Sequence, residues 1–134
     1  MARIKEIVVD ARHPAALAKF WAAALTDYCI RPYDDAEIAR LAGMGLTPET
    51  DMTVLLDGAG PSICFHVRDM PRATTNHIHL DIVGGPRAGE VARLVALGAS
   101  VRDEHESYTV MLDPEGNAFC VVDPTDHGQP ELRA

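Results

Sequence analysis

The stretch TVLLDGAGPSIC, residues 53–64, reappears without gaps as TVMLDPEGNAFC, residues 109–120. The identical positions are the pairs Thr53/Thr109, Val54/Val110, Leu56/Leu112, Asp57/Asp113, Gly60/Gly116 and Cys64/Cys120. A second pairing places EIVVD, residues 6–10, on HIHLD, residues 77–81. Because both pairings occur in the same order along the chain, they indicate an internal duplication.

Each copy of the duplication predicts the element order β-α-β-β-β. In the first copy, periodicity and turn residues predict strands over 3–10, 27–33, 52–56 and 62–67, a helix opened by His13-Pro14, and a helical insert over 35–42 ended by Gly43. In the second copy they predict strands over 76–83, 99–103, 108–112 and 118–122, and a helix over 87–97 stopped by Gly98. The fold class is therefore α+β, with two βαβββ modules. We expect one domain over 1–126, with module one at 3–68, a joint at 69–75, module two at 76–123 and a flexible tail at 124–134.

Composition excludes several classes of partner. The 134 residues carry a formal net charge of −8, and no basic run is present that would bind nucleic acid or an anionic membrane. The start of the sequence lacks the apolar stretch of a signal peptide, and no apolar run is long enough to span a membrane. Three cysteines do not form the even set of a secreted disulfide framework. We therefore expect a cytoplasmic protein with reduced thiols.

A set of short strings then points to a known fold family. These strings are IVVD at 7–10, HP at 13–14, FW at 20–21, HIHLD at 77–81, LGA at 97–99 and LDPEGNAFC at 112–120. In this order they resemble the vicinal oxygen chelate superfamily, which includes glyoxalases, bleomycin-resistance proteins and extradiol dioxygenases, and in particular its glyoxalase-like branch. The resemblance covers roughly residues 4–123 and implies two modules related by pseudo-twofold symmetry, which form a curved sheet around a ligand cavity.

The resemblance also implies where a metal ion would bind. Metal-dependent members of the family place one ligand on the first strand and one on the last strand of each module. Those positions fall here on Glu6, Cys64, His77 and Cys120. Glyoxalase I carries glutamates where this chain has the two cysteines. That departure favours ligand binding, or an enzyme without a metal.

Strand alternation leaves two interpretations of these residues open. Side chains two apart share a face, so His77 groups with His79, and Cys64 groups with His66. In one interpretation, Glu6, Cys64, His77 and Cys120 bind zinc or iron, with His66 or His79 beside the metal. In the other, the cysteines are small buried hydrophobic residues, no metal is bound, and the histidines are polar residues of the pocket.

The cavity interpretation predicts a ligand lining of Trp21, His66, His77, His79 and Tyr108. For Phe20 and Trp21 the helical spacing favours packing in the core. Two functions follow for a small organic molecule bound in the cavity between the modules. One is a metal-assisted lyase, isomerase or oxygenase. The other is a non-catalytic protein of the bleomycin-resistance type that binds a small molecule or sequesters an antibiotic. We also expect a homodimer, as in related proteins. The sequence does not identify the ligand, the reaction, or whether one chain or two form the cavity.

Overall fold

The computed structural model describes residue 4, residues 6–67 and residues 80–124, and divides the chain into two compact units, Met1–Arg72 and Ala73–Ala134. The first unit contains β1 (Glu6–Ala11), α1 (Pro14–Ala24), β2 (Tyr28–Ile30), α2 (Asp35–Gly43), β3 (Thr53–Gly58) and β4 (Ser62–Val67). The second contains β5 (Leu80–Val83), α3 (Arg87–Leu97), β6 (Ser100–Glu104), β7 (Tyr108–Leu112) and β8 (Ala118–Val122). The predicted element order is confirmed, and β4, α3, β7 and β8 have the predicted bounds. The predicted joint at 69–75, residues 76–79 of the predicted strand, and residues 125–134 of the predicted tail lie outside the described residues.

Each unit contains one four-stranded mixed sheet, and the two sheets have the same topology. The strand orders are β1-β4-β3-β2 and β5-β8-β7-β6. In both, the first strand runs parallel to the last strand of its unit, and the other pairs are antiparallel. The α+β class and the two βαβββ modules are therefore confirmed. None of the three helices in the described part of the chain is long and apolar enough to cross a membrane.

Helix α1 covers one side of the first sheet. It begins with Pro14; proline lacks a backbone N–H, but in the first turn of a helix that group would have no helical acceptor. The helix packs against all four strands. The strand side chains of that side are almost fully buried: Val54, Leu56, Ile63 and Phe65. Phe20 and Trp21 are buried on α1, with their rings 5.2 Å apart and nearly perpendicular. Burial of each large side chain stabilises the unit by about 1.5–3 kcal/mol, so this layer fixes the position of the sheet on the helix.

The second sheet buries a matching layer, which consists of Thr109, Met111, Phe119 and Val121. Helix α3 packs against β6 and β8, and its Leu94 is fully buried. The helix ends at Gly98, where φ is +118° and the N–H of the next residue bonds the Leu94 carbonyl oxygen. A residue with a side chain is strained at this φ, which explains why the predicted stop is a glycine.

Residues 53–64 and 109–120 align without gaps in sequence, but their strands pair in different registers. The residue-by-residue equivalences implied by that alignment are therefore wrong in the structure. Residues 57–62 separate Leu56 from its partner Ile63, whereas residues 113–117, one fewer, separate Leu112 from Ala118. A shift of one residue reverses the face of every side chain. As a result Thr53 lies on the same face as Cys64, but Thr109 lies on the opposite face from Cys120.

Arg87, at the start of α3, ties together three parts of the second unit. Its Nη1 donates to the His105 carbonyl oxygen (3.0 Å), its Nη2 to that of Glu106 (2.9 Å), and its Nε pairs with an Asp123 carboxylate oxygen at 3.2 Å. The Arg87 side chain is largely buried. The loop between β6 and β7 is therefore held to the helix by charge-assisted hydrogen bonds.

We expect Arg87→Ala to lower the free energy of unfolding by about 1–3 kcal/mol, because it leaves two loop carbonyls and a carboxylate without their donor. Urea unfolding followed by circular dichroism measures the change. Arg102→Ala is the matched control, since Arg102 pairs with Asp103 in an exposed ion pair worth at most about 1 kcal/mol. Equal losses in the two variants would show that Arg87 does not have this role.

Candidate functional site

The side of the first sheet that faces away from α1 carries the polar side chains of β1, β3 and β4, and we call it the open face. Its register is set by pairs in which Val8 and Leu55 flank Cys64, and Asp10 and Thr53 flank His66. Because paired residues share a face, the open face consists of Glu6, Val8, Asp10, Thr53, Leu55, Asp57, Ser62, Cys64 and His66. The prediction from strand alternation that Cys64 and His66 share a face is confirmed, and Glu6 lies on the same face.

Cys64 and Glu6 are close enough on this face to interact electrostatically. Cys64 is 8 % exposed, and burial raises the pKa of its thiol. The negative charge of Glu6 raises this pKa further, while Arg31 acts in the opposite direction. The thiol therefore stays protonated unless a cation offsets the cost of the thiolate.

The other two members of the predicted metal set, His77 and Cys120, belong to the second unit. His77, and the predicted ligand residue His79, lie outside the described residues. Cys120 is 4 % exposed and pairs in register with Asp81 and Val110 of its own sheet. Within residues 4, 6–67 and 80–124, no three His, Cys, Asp or Glu side chains gather in a group that could hold a metal ion. The set Glu6, Cys64, His77 and Cys120 stays a prediction.

Two of the predicted ligand-lining residues are aromatic. Trp21 is 5 % exposed in the layer between α1 and the sheet, the core position that its spacing favoured. Tyr108 is half-buried at the start of β7, and its ring stacks on that of His105 with centroids 4.4 Å apart. Contact of either ring with a ligand stays a prediction.

Arg31 and Asp57 form a charged pair beside the open face, which the sequence analysis did not single out. The Arg31 Nε and Nη2 atoms donate to the two Asp57 carboxylate oxygens at 2.7 and 2.9 Å, and the Ser62 hydroxyl donates to Oδ1 at 2.7 Å. These bonds lower the pKa of Asp57 to about 2 and raise the pKa of Arg31. Three donors therefore hold the carboxylate in its charged form.

A pocket of about 320 Å³ lies within the first unit, between α2 with the segment that follows it and the β2–β3 edge of the sheet. Its polar lining consists of Arg31, Tyr33, Glu37, Arg40, Asp51 and Thr53, and its apolar lining of Met44, Leu46, Met52 and Leu55. Thr53 and Leu55 belong also to the open face, so the pocket adjoins that face. None of these lining residues was predicted from the sequence as a site residue.

A buried carboxylate organises the polar wall of this pocket. Asp51 is 9 % exposed; its Oδ2 accepts the Tyr33 hydroxyl at 2.7 Å and its Oδ1 accepts the Thr53 N–H at 3.1 Å. Burial, and then the hydrogen bond to Asp51, raises the pKa of Tyr33, so this phenol remains a donor at neutral pH. In the sequence, this part of the pocket was indicated only by the polar insert between β2 and β3. The hydrogen bond between residues 33 and 51 could not be predicted, because local periodicity does not show which distant residues meet.

Comparison with known proteins relates the chain to one family. Residues 6–122 match the family model described as "Glyoxalase-like domain". A search of curated proteins found no match.

Solved structures share the fold at low sequence identity. A glyoxalase/bleomycin resistance protein/dioxygenase family enzyme from Burkholderia phytofirmans PsJN is 14 % identical, covers 90 % of this chain and 97 % of its own, and superposes with a TM-score of 0.67. A hypothetical protein from S. aureus is 11 % identical, with coverages of 92 % and 95 % and a TM-score of 0.65. The fosfomycin resistance protein FosX from Mesorhizobium loti is 9 % identical, with 91 % of each chain covered and a TM-score of 0.64.

We expect the Arg31–Asp57 pair to make stability depend on pH in the acid range. Because the pKa of Asp57 falls from an ordinary 3.8 to about 2 in the folded protein, the stabilisation is complete above about pH 4 and is lost as the pH falls through 2. Carbon-13 NMR titration of the Asp57 carboxyl measures this pKa directly. Arg31→Gln should return it towards 3.8, and Ser62→Ala should raise it by less. A pKa that is the same in Arg31→Gln and the unsubstituted protein would contradict this assignment.

Proposed function

The chain belongs to the glyoxalase-like domain family, and on that premise we propose that it binds a small organic molecule in the pocket beside the open face of its first sheet. The family match supports a small-molecule role in general terms. The position within the chain is argued from the pocket.

The observation that carries the proposal is that the Asp51 and Arg31 side chains of the pocket wall are already hydrogen-bonded within the protein. Asp51 already accepts from Tyr33 and Thr53, and Arg31 is already paired with Asp57. A ligand therefore does not have to break these bonds or reorganise this wall when it binds, which preserves affinity. The volume of about 320 Å³ lies at the small end of the range for ligand sites.

The apolar wall suits a ligand with a carbon skeleton. Met44 and Met52 are both about half exposed, although each lines the pocket. Flexible thioether side chains adapt to ligands of different shape, and burying them against a ligand adds apolar contact. Arg40 has no hydrogen bond or ion pair within the described part of the chain, so a cation remains available at the rim.

A second candidate function is a metal-assisted lyase, isomerase or oxygenase that uses Glu6, Cys64, His77 and Cys120. The observation in its favour is that Glu6 and Cys64 share the open face and interact there. A bound zinc or iron ion would supply the positive charge that converts the Cys64 thiol into a thiolate ligand. The homodimer and the cytoplasmic location stay predictions.

Ligand screening tests the binding proposal. We expect at least one member of a panel of small 2-oxo acids, aromatic carboxylates and aromatic antibiotics to raise Tm, with about 2.7 kcal/mol of added stability at one hundred times its Kd. Leu55→Trp should weaken that ligand about tenfold or more, because the indole fills the pocket.

Val101→Trp is the matched control, since it adds the same side chain at an exposed position on β6 of the other unit. Isothermal titration calorimetry compares the three proteins. If Leu55→Trp and Val101→Trp bind the ligand equally, the pocket is not the binding site. If no member of the panel raises Tm, the proposal fails for these ligand classes.

Elemental analysis tests the metalloenzyme. After incubation with zinc or iron(II), the purified protein should retain about one equivalent, and His77→Ala and Cys64→Ser should each lose it. His105→Ala is the control, because His105 is an exposed loop residue outside the predicted set. Retention below about a tenth of an equivalent in the unsubstituted protein would end the metalloenzyme hypothesis.

A further inference from the structure

His66 is an exposed imidazole on the open face, next to the pocket. Its Nδ1 lies 2.8 Å from the Thr53 Oγ1, and Thr53 itself lines the pocket. Within residues 6–67 and 80–124, the structure gives His66 no other hydrogen-bond partner. One ring nitrogen is therefore held by the protein, and Nε2 has no partner among those residues.

The backbone of Thr53 is held in place by the buried carboxylate of Asp51. Its backbone N–H donates to Asp51 Oδ1 at 3.1 Å, and the other carboxylate oxygen of Asp51 is held by the Tyr33 hydroxyl. Asp51 is nine-tenths buried, so this support does not depend on mobile surface groups. The hydroxyl of Thr53 is consequently presented to His66 by a chain of hydrogen bonds that begins in the pocket wall.

The direction of the hydrogen bond between Thr53 and His66 decides the tautomer, because a threonine hydroxyl can donate to Nδ1 or accept from it. A threonine hydroxyl has a single proton, and the Nδ1 of His66 is the one side-chain partner that the described residues offer it. When the hydroxyl donates to Nδ1, the neutral imidazole carries its proton on Nε2. The free nitrogen is then a donor, and the group that it recognises is an acceptor.

We propose that Thr53 is a positioning residue which holds His66 with Nε2–H directed to an acceptor oxygen, a carbonyl or carboxylate oxygen, of the bound small molecule. This inference rests on the proposed function and names the chemical class of the ligand. It requires no covalent step and no metal. Arg40 lines the same pocket without a hydrogen bond or ion pair to any described residue, and its charge favours the carboxylate within that class.

The alternative to be tested is that a nearby charged group, rather than Thr53, selects the tautomer of His66. The register places the carboxylates of Glu6 and Asp10 on β1 and of Asp57 on β3 on the same face as His66, and Asp51 bonds the Thr53 N–H. Asp10 is the direct register partner of His66, so its carboxylate is the competing acceptor. If Asp10, rather than Thr53, selected the tautomer, then Asp10→Asn would alter it.

The tautomer is measured by nitrogen-15 NMR of the His66 ring in the ligand-free protein, with the imidazole neutral. We expect the Nε2–H form in the unsubstituted protein, in Thr53→Ser, which keeps the hydroxyl, and in Asp10→Asn. In Thr53→Val we expect a mixture of both forms. An Nδ1–H form in the unsubstituted protein, an unchanged tautomer in Thr53→Val, or a change caused by Asp10→Asn would overturn the role of Thr53.

Titration with sodium benzoate, followed at His66 Nε2, tests the ligand class. We expect a saturable shift in the unsubstituted protein and in Thr53→Ser, and binding about tenfold weaker in Thr53→Val and in His66→Gln. Absence of a saturable shift, or equal affinity in His66→Gln, would overturn the acceptor-oxygen site. Because the tautomer is read without ligand, its outcome is separate from success or failure of the screening panel.

Discussion

The position of β4 between β1 and β3 is the constraint on which the site depends. Its register places Ile63 and Phe65 beneath α1 and leaves Cys64 and His66 on the open face. A slip of one residue would exchange the two sets, and would expose two large apolar side chains whose burial contributes about 1.5–3 kcal/mol each. The packing of the helix therefore determines which polar groups the open face carries.

This register arranges the side chains of the open face in three rows across the sheet. His66 lies between Asp10 and Thr53, Cys64 lies between Val8 and Leu55, and Ser62 pairs with Glu6 and bonds Asp57. A fold of this kind supports many functions, so the function is argued from these groups rather than from the architecture.

Much of the fold was predictable because its signals are local. The bounds of α3 follow from helical periodicity and the glycine that stops it, and β7 and β8 follow from alternation around the turn at 113–117. The face shared by Cys64 and His66 needed only the two-residue period of a strand. The two hairpins differ in register because their loops differ in length by one residue. The sequence does not reveal this difference, because identical residues such as Thr53 and Thr109 align without a gap. The pocket depends on contacts between residues distant in sequence, Tyr33 with Asp51 and Thr53 with His66, which no local pattern encodes.

The central claim is that the ligand lies against the open face, in the pocket of the first unit. Its most direct measurement is amide chemical-shift mapping by proton–nitrogen NMR, with the screened compound that raises Tm most. The account predicts saturable shifts that centre on Arg31, Tyr33, Thr53 and Leu55, with the amides around Leu94 and Val121 unmoved. Shifts that centre on the second unit, with those four amides unmoved, would contradict it.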